Sequence, residues 1–313
     1  MAPVPVVLDC DPGHDDMVAI LLAAGSPAID LRAITTVAGN GTLEQTTRNA
    51  LLTCTLAGIR DVPVAAGCAG PLVAAPRTAS AVHGASAMDG AALGEPDLAT
   101  VDAHAVDLLA EVLRHATEPV TVVAVGPLTN IALLLRRYPA AAAAVGEIVL
   151  MGGTTGAGNI APLAEFNILV DPEAAHVVFT SGLPVTMCGL DVTHQALATA
   201  PVLAGLTVLG TPLAATVVEL LGFFAARYSA LWGFPAPPVH DPVAIGRVID
   251  PTVVGCVAAH VAIELTGTYT RGATVVDRFG VTNREPNAEV ALQLDAPRFW
   301  ALVTDAIATL GAP

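Results

Sequence analysis

The stretch VPVVLDCDPGHDD, residues 4–16, decides the fold of this chain. Its first part is an almost unbroken apolar run, which is typical of a strand buried on both faces of a sheet. Pro12 and Gly13 follow and indicate a tight turn, and a helical segment comes next. The order of strand, turn and helix predicts the first unit of an α/β fold.

Further apolar runs repeat this pattern along the chain. We predict strands at 31–37, 120–125, 147–152 and 183–188, and helices at 42–58, 104–116, 140–144 and 296–310. No linker or change of composition interrupts the alternation. We therefore predict one α/β domain over residues 1–313, with a central, mostly parallel β-sheet flanked by helices.

Composition restricts the class of partner. The formal net charge of −15 repels phosphate backbones and anionic lipids, so we expect neither a nucleic acid nor a membrane as partner. The uncharged stretch 196–218 is broken by prolines and glycines, and we predict two short helices with a linker there. The first residues lack the basic segment of a secretion signal, so we expect a cytoplasmic protein.

Polar side chains follow the predicted strands. In open α/β sheets, ligands bind outside the carboxyl ends of the strands, so these loops are the expected site. The loops are DCDPGHDD (9–16), AGN (38–40), VGPLTN (125–130), MGGTTGAGNIAPLAEFN (151–167) and PVHDP (238–242), which leads into a late helix. Their side chains are expected to form an active site at the carboxyl ends of the strands.

The first of these loops is dense in carboxylates: Asp9, Asp11, Asp15 and Asp16 lie within eight positions. A helix N-terminus stabilises each carboxylate by only about 1 kcal/mol or less, too little to offset several crowded like charges. A cation would offset them, and ligands that are all oxygens favour calcium or magnesium over zinc. We predict Ca²⁺ because several carboxylates can converge, with His240-Asp241-Pro242 available to complete the site. The alternative is that these aspartates only cap the helix.

These motifs together resemble the inosine-uridine-preferring nucleoside hydrolases. The stretches DCDPGHDD (9–16), TTVAGN (35–40), VGPLTNIA (125–132), the MGG-to-EFN segment (151–167) and PVHDP (238–242) occur in the order and spacing of that family over nearly the whole chain. The resemblance implies hydrolysis of the N-glycosidic bond of purine or pyrimidine ribonucleosides to free base and ribose. It also implies a homodimer or homotetramer and a role in nucleoside salvage.

The resemblance also implies roles for individual residues. The carboxylates of Asp11, Asp15, Asp16 and Asp241 and the backbone carbonyl of Val125 match the calcium ligands. The substrate-binding set comprises Asn40, His83, Met151, Asn159, Glu165, Phe166, Asn167, Tyr228, Trp232 and His240. Without the family, Asn40 and Asn159 could simply hold turns, Glu165 could cap a helix near Asp171, and His83 could be structural.

The chemistry of these residue types agrees with those roles. Cleaving a ribosyl C–N bond builds positive charge on the sugar, which anionic and amide oxygens stabilise. We expect Asp11 to act as general base on a calcium-activated water and His240 as the acid at the leaving base. Tyr228 and Trp232, one helical turn apart, could stack on the base. His14, inside the acidic motif, is expected to pair with a carboxylate.

Two other functions remain open at this point. Asp9-Cys10-Asp11 could be the DxD of a haloacid-dehalogenase-like phosphohydrolase with Asp9 as nucleophile and magnesium as cofactor, although Pro12-Gly13 departs from that pattern. A non-catalytic nucleoside-binding protein would use the same residues without turnover. Release of phosphate, or tight binding without base release, would distinguish these two from a hydrolase.

Overall fold

A computed structural model describes residues 2–312. The strands are β1 (Val4–Cys10), β2 (Ile29–Thr36), β3 (Val64–Ala66), β4 (Val120–Ala124), β5 (Val145–Met151), β6 (Val185–Cys188), β7 (Val254–Ile263), β8 (Thr274–Asp277) and β9 (Ala288–Leu294). The helices are α1 (His14–Gly25), α2 (Leu43–Leu56), α3 (Ser80–His83), α4 (Ala105–Arg114), α5 (Thr129–Arg137), α6 (Pro139–Ala142), α7 (Phe166–Val170), α8 (Pro172–Phe179), α9 (Leu190–Thr193), α10 (Ala200–Val208), α11 (Pro212–Trp232), α12 (Pro242–Ile249) and α13 (Ala296–Leu310).

All these strands form one sheet in the order β3-β2-β1-β4-β5-β6-β9-β7-β8. Neighbours from β3 to β9 are parallel, whereas β7 is antiparallel to both β9 and β8. The chain order runs one way from β1 towards β3 and the other way from β4 onwards. The carboxyl ends of β1 and β4 therefore flank the point where the order reverses, which is where such sheets form a binding crevice.

The core lies on both faces of the sheet. Val6 and Leu8 point to the face covered by α1, α11, α12 and α13, while Val7 points to the face covered by α4, α5 and α8. All three side chains are fully buried. This burial explains why β1 reads as a continuous apolar run, since alternate side chains of the strand face opposite apolar layers.

The predicted α/β class, the mostly parallel sheet and the five predicted strands are confirmed, with shifts of a few residues at their ends. The predicted helices at 42–58, 104–116 and 296–310 are also confirmed. At 140–144 a single helical turn, α6, ends at Ala142, because the chain enters β5 three residues later. The sheet extension β7 to β9 had not been predicted.

The prediction for 196–218 is half right. A short helix, α10, is present, but the second helix, α11, continues to Trp232 and is 21 residues long. Its length and composition would suit a membrane span, yet the same features are common in core helices. Leu220, Leu221 and Phe224 of α11 pack in the core, and Glu219 and Arg227 interrupt its apolar sequence. These contacts favour the core-helix interpretation.

Candidate active site

A cavity opens at the carboxyl ends of the central strands and collects nearly all of the predicted residues. The predicted residues that line it are Asp15, Asn40, His83, Val125, Met151, Asn159, Glu165, Phe166, Asn167, Tyr228, Trp232, His240 and Asp241. Asp11 and Asp16 do not line the cavity but lie buried in the same loop as Asp15. Loops distant in sequence therefore meet where the strand order predicted a site.

The acidic loop and the late PVHDP loop converge. Asp15, Asp16 and Asp241 each present a carboxylate oxygen within 4.8 Å of the others, and all three residues are buried. The backbone N–H of His240 also donates to Asp15 Oδ2 at 3.3 Å, which ties the two loops together. The predicted meeting of these loops is thus observed, with Asp241 at the start of α12.

Asp11 lies close enough to this trio to interact with it electrostatically, and one of its carboxylate oxygens is held by a hydrogen bond. The backbone N–H of Asn40 donates to Asp11 Oδ2 at 2.6 Å, while Oδ1 is buried without a hydrogen-bond partner among the described residues. Two glycines make room for this carboxylate: a Cβ on Gly39 would lie 2.1 Å from Oδ2, and one on Gly126 would lie 2.6 Å from Oδ1. The site therefore requires the small residues of both loops.

Electrostatics at the cluster call for a cation. Burial raises the pKa of all four carboxyls, that of Asp15 to about 7. Neighbouring carboxylates raise the pKa values of Asp11, Asp15 and Asp241 further. Asp15 Oδ1, like Asp11 Oδ1, is a buried acceptor with no partner within residues 2–312. Several buried, crowded carboxylates with unused oxygens fit a divalent cation, which would replace the missing hydrogen bonds and offset the charge.

Asp9 does not belong to the accessible part of this site. It is fully buried, and its Oδ1 accepts hydrogen bonds from Thr35 Oγ1 at 2.5 Å and Asn130 Nδ2 at 2.8 Å. Asn130 also donates to the backbone carbonyl of Thr36, at the end of β2. Asp9 thus joins the ends of β1 and β2 to the start of α5. A nucleophile must reach its substrate, so this burial argues against the phosphohydrolase hypothesis.

The sugar-binding set predicted from the resemblance forms a connected group. Glu165 is buried and accepts hydrogen bonds from the backbone N–H groups of Gly153 at 3.0 Å and Asn167 at 2.9 Å. It caps α7, not a helix near Asp171, which caps α8 itself. Burial raises the pKa of Glu165 to about 7, so it can change its charge near neutral pH.

Asn167 and Asn159 complete this group. Asn167 Nδ2 donates to the backbone carbonyl of Val125 at 2.8 Å and to that of Met151 at 3.2 Å, so its amide is fixed at the edge of the cavity. Asn159 Oδ1 accepts from the backbone N–H of Phe166 at 3.0 Å, which closes the loop 151–167 over the site. The alternative that Asn159 only holds a turn is therefore partly correct, although Asn159 also lines the cavity.

The opposite wall carries aromatic and imidazole rings. Both ring nitrogens of His240 are engaged: Nδ1 lies 2.8 Å from Thr193 Oγ1 and Nε2 lies 2.8 Å from Tyr228 Oη. Tyr228 also packs on Trp232, with ring centroids 4.7 Å apart. Burial lowers the pKa of His240 to about 3, so its ring is neutral near neutral pH in the substrate-free protein.

The expectation that His14 pairs with a carboxylate is wrong. Its ring nitrogens contact His83 Nδ1 and the backbone carbonyl of Asp89, because α1 directs the side chain away from the acidic cluster and towards α11. Thr193, the partner of His240, was not among the predicted site residues. Thr193 lies just beyond β6, so the rule that placed the other loops at strand ends could have found it.

A family model described as inosine-uridine preferring nucleoside hydrolase matches residues 6–301. This chain belongs to that family. The hydrolase is 47% identical over 302 residues to the pyrimidine-specific ribonucleoside hydrolase RihA of Escherichia coli K12, covering 96% of this chain and 97% of the relative.

Solved structures agree with the fold of the hydrolase. A purine-preferring ribonucleoside hydrolase from Gardnerella vaginalis superimposes with a TM-score of 0.91 at 32% identity, covering 98% of this chain and 99% of that one. A Bacillus anthracis nucleoside hydrolase, at 20% identity and a TM-score of 0.81, matches the fold alone.

The activity follows from family membership. The hydrolase cleaves the N-glycosidic bond of ribonucleosides, so the enzymatic prediction is confirmed. The phosphohydrolase alternative is wrong, in agreement with the burial of Asp9. The alternative of a protein that binds nucleosides without turnover is also wrong, because the family is one of enzymes.

Proposed function

We propose that this enzyme is a Ca²⁺-dependent hydrolase that prefers pyrimidine ribonucleosides. The observation that carries the proposal is the convergence of Asp15, Asp16 and Asp241 beside a cavity lined by Glu165 and Asn167, with a buried oxygen of Asp15 left unpartnered among the described residues. Oxygen donors of this kind suit hard cations, and the number of carboxylates favours calcium over magnesium, which keeps more of its water ligands. The carbonyl of Val125 is the proposed backbone ligand.

A bound divalent cation would lower the pKa of a nucleophilic water and offset the charge of the carboxylates. Asp11 is the proposed general base. Its Oδ1 has no hydrogen-bond partner in residues 2–312 and can accept a proton, while the N–H of Asn40 holds the other oxygen and so sets the orientation of the carboxylate. A fixed base loses less conformational freedom in the transition state.

Glu165, Asn167, Asn40 and Asn159 are proposed to bind the ribose hydroxyls. Side-chain carboxylates and amides match hydroxyl groups, which both donate and accept hydrogen bonds. The carboxylate of Glu165 would also stabilise the positive charge that develops on the ring as the C–N bond breaks. The backbone N–H groups that surround Glu165 keep it aimed at the sugar.

His240 is proposed to supply the proton to the departing base. Because both of its nitrogens are occupied, the proton would pass from Nε2 through the hydroxyl of Tyr228, a residue that lines the cavity. The Nδ1 contact with Thr193 keeps the ring in place. Since burial lowers the pKa of His240 to about 3 in the substrate-free protein, the proposal requires the ring to gain its proton in the complex with the nucleoside.

The pyrimidine preference rests on the RihA relatives, which are named pyrimidine-specific and are 47% identical to this chain. The rings of Tyr228 and Trp232 offer flat surfaces for a base, whichever ring system it has. We further propose a cytoplasmic homodimer or homotetramer that serves nucleoside salvage.

A reducing-sugar assay tests the proposal directly. Uridine, cytidine, inosine, adenosine and nicotinamide riboside are each incubated with the enzyme in calcium, in magnesium, and with a chelator. We expect ribose release to be fastest from uridine or cytidine in calcium and to be lost with the chelator. Absence of release from every nucleoside in calcium would reject the proposal, and faster release from purines would reject the base preference.

Two variants make the assay specific for the site. Asp11→Ala should lower kcat by about 10³-fold or more, as expected for removal of a general base. Asp61→Ala, which removes an exposed carboxylate elsewhere, is the matched control and should behave as the parent enzyme. Full activity in Asp11→Ala would remove Asp11 from the mechanism.

A further inference from the structure

The ring of His14 is locked between the cavity and a surface loop. Its Nε2 lies 2.7 Å from the backbone carbonyl oxygen of Asp89, and its Nδ1 lies 3.1 Å from Nδ1 of His83. Phe223 and Phe224 stack against it nearly in parallel, with centroids 5.4 and 5.1 Å away. His14 is only 1% exposed, so water cannot replace either partner.

These contacts determine where the hydrogens lie. A carbonyl oxygen only accepts, so Nε2 of His14 must carry a hydrogen. The His14 ring is buried against two phenyl rings and contacts no carboxylate among the described residues, so a charged ring would be costly there. A neutral ring that is protonated at Nε2 has a lone pair at Nδ1. The hydrogen between the two rings therefore belongs to Nδ1 of His83. Two lone pairs facing each other at this distance would repel.

One other contact reaches the same atom. The backbone N–H of His14 points at Nδ1 of His83, but the 3.5 Å separation is at the outer limit of a hydrogen bond. The ring contact at 3.1 Å is shorter and decides the arrangement. The acceptor at the other end is also fixed, because the carboxylate of Asp89 binds the N–H groups of Ala85 and Ser86 and so holds its own loop.

The second nitrogen of His83 is left for the substrate. Burial keeps the pKa of His83 well below its usual value, so the ring is neutral, and a neutral ring protonated at Nδ1 has a lone pair at Nε2. Nε2 makes no hydrogen bond within residues 2–312 and is accessible to solvent, and His83 lines the cavity. An acceptor nitrogen is therefore available on a residue that lines the cavity.

We infer that His14 is a positioning residue that fixes the tautomer of His83, so that Nε2 of His83 accepts a hydrogen bond from an O–H or N–H group of the nucleoside. The role of the contact in catalysis rests on the proposed function, whereas the tautomer does not. In a ring free to choose, both tautomers would be populated and part of the enzyme would present a donor to the same group. The contact with His14 prevents His83 from adopting this second tautomer, which is protonated at Nε2.

Nitrogen NMR of the unmodified enzyme tests the tautomer. The calcium-loaded protein is labelled with ¹⁵N-histidine, and long-range ¹H–¹⁵N correlations distinguish the protonated nitrogen in each ring. The signal of His83 is the one missing in His83→Asn. We expect His83 to be protonated at Nδ1 and His14 at Nε2. Protonation of His83 at Nε2 would overturn the inference, and this result requires no turnover.

Two substitutions at His14 test the consequence for catalysis. In His14→Asn the amide oxygen takes the place of Nδ1 and still accepts from His83, whereas His14→Gln keeps the contact with Asp89 and loses that acceptor. We expect kcat/KM to fall about 10- to 100-fold in His14→Gln, as for other residues that orient a functional histidine. His14→Asn should recover most of that loss, and calcium affinity should stay unchanged in both variants.

The outcomes separate the two proposals. Equal losses in both variants, or no loss in His14→Gln, would overturn the positioning role. A parent enzyme that releases no ribose from any nucleoside would instead reject the proposed function and leave the NMR result standing.

Discussion

Removal of the divalent cation should destabilise this enzyme more at alkaline than at acidic pH. The reason lies in the buried carboxyl of Asp15, whose pKa is raised to about 7 by burial and then by Asp16. In the metal-free folded state this group keeps its proton until about pH 7. In the unfolded chain it loses the proton near the ordinary aspartate pKa of 3.8. As the pH rises between these values, the unfolded state is increasingly favoured.

The size of the effect follows from the same pKa values. Each pH unit between the two values costs the metal-free fold about 1.4 kcal/mol. From about pH 5.5 to about pH 8, Asp15 alone therefore lowers the free energy of unfolding by about 2 kcal/mol. A chain of 313 residues has an unfolding entropy of about 0.7 kcal/mol/K, so Tm falls by about 3 °C. The neighbouring carboxyls act in the same direction.

Thermal unfolding with calcium and with chelator, at both pH values, measures this linkage. Calcium stabilises the ionised carboxylate, so the calcium-induced rise in Tm should be larger at the higher pH by about 3 °C or more. Asp15→Asn should lose most of that difference, while the exposed control Asp61→Asn should keep it. An equal calcium effect at both pH values, or an unchanged difference in Asp15→Asn, would refute the reasoning.

Three further predictions concern the geometry of the site. Gly39→Ala places a Cβ 2.1 Å from Asp11 Oδ2, so the carboxylate must move. We expect kcat to fall about 10²-fold and titration calorimetry to show weaker calcium binding. Values equal to those of the parent enzyme would contradict the close fit. Thr193→Val removes the hydroxyl that holds His240 Nδ1 and should lower kcat about 10-fold with uridine. The loss should disappear with a nitrophenyl riboside, whose leaving group needs no proton; an equal loss there would argue against a role in proton delivery. If the ring of Trp232 binds the base equally in the ground and transition states, Trp232→Ala should raise KM about 3- to 10-fold with little change in kcat. An unchanged KM in steady-state kinetics would show that Trp232 is not part of the base pocket.

Much of the fold could be predicted from the sequence because local residue patterns specify it. Val6, Val7 and Leu8 are apolar at successive positions since both faces of β1 are covered, and Pro12-Gly13 marks the turn into α1. The candidate site was predictable for the same reason, because parallel strands bring their carboxyl ends to one edge. The strand pattern and the family motifs thus located the loops that line the cavity.

Other features depend on contacts between distant segments. The strands β7, β8 and β9 pair antiparallel with one another and are only partly buried, so their burial does not follow a continuous apolar sequence: β7 is apolar yet half-exposed, and Glu289 and Gln293 interrupt β9. The full length of α11 depends on its packing against the core and the cavity, which overrides local breaks such as Gly222. No local pattern shows that His14 turns away from the carboxylates.

The sequence by itself therefore determined the α/β class, the acidic loop and the family, since these depend on residue type and on spacing along the chain. Only the tertiary structure decided that Thr193 contacts His240, and which nitrogen of each histidine is engaged. The physical reason is that charge repulsion, burial and hydrogen-bond direction act through space. They therefore depend on which distant segments the fold brings together.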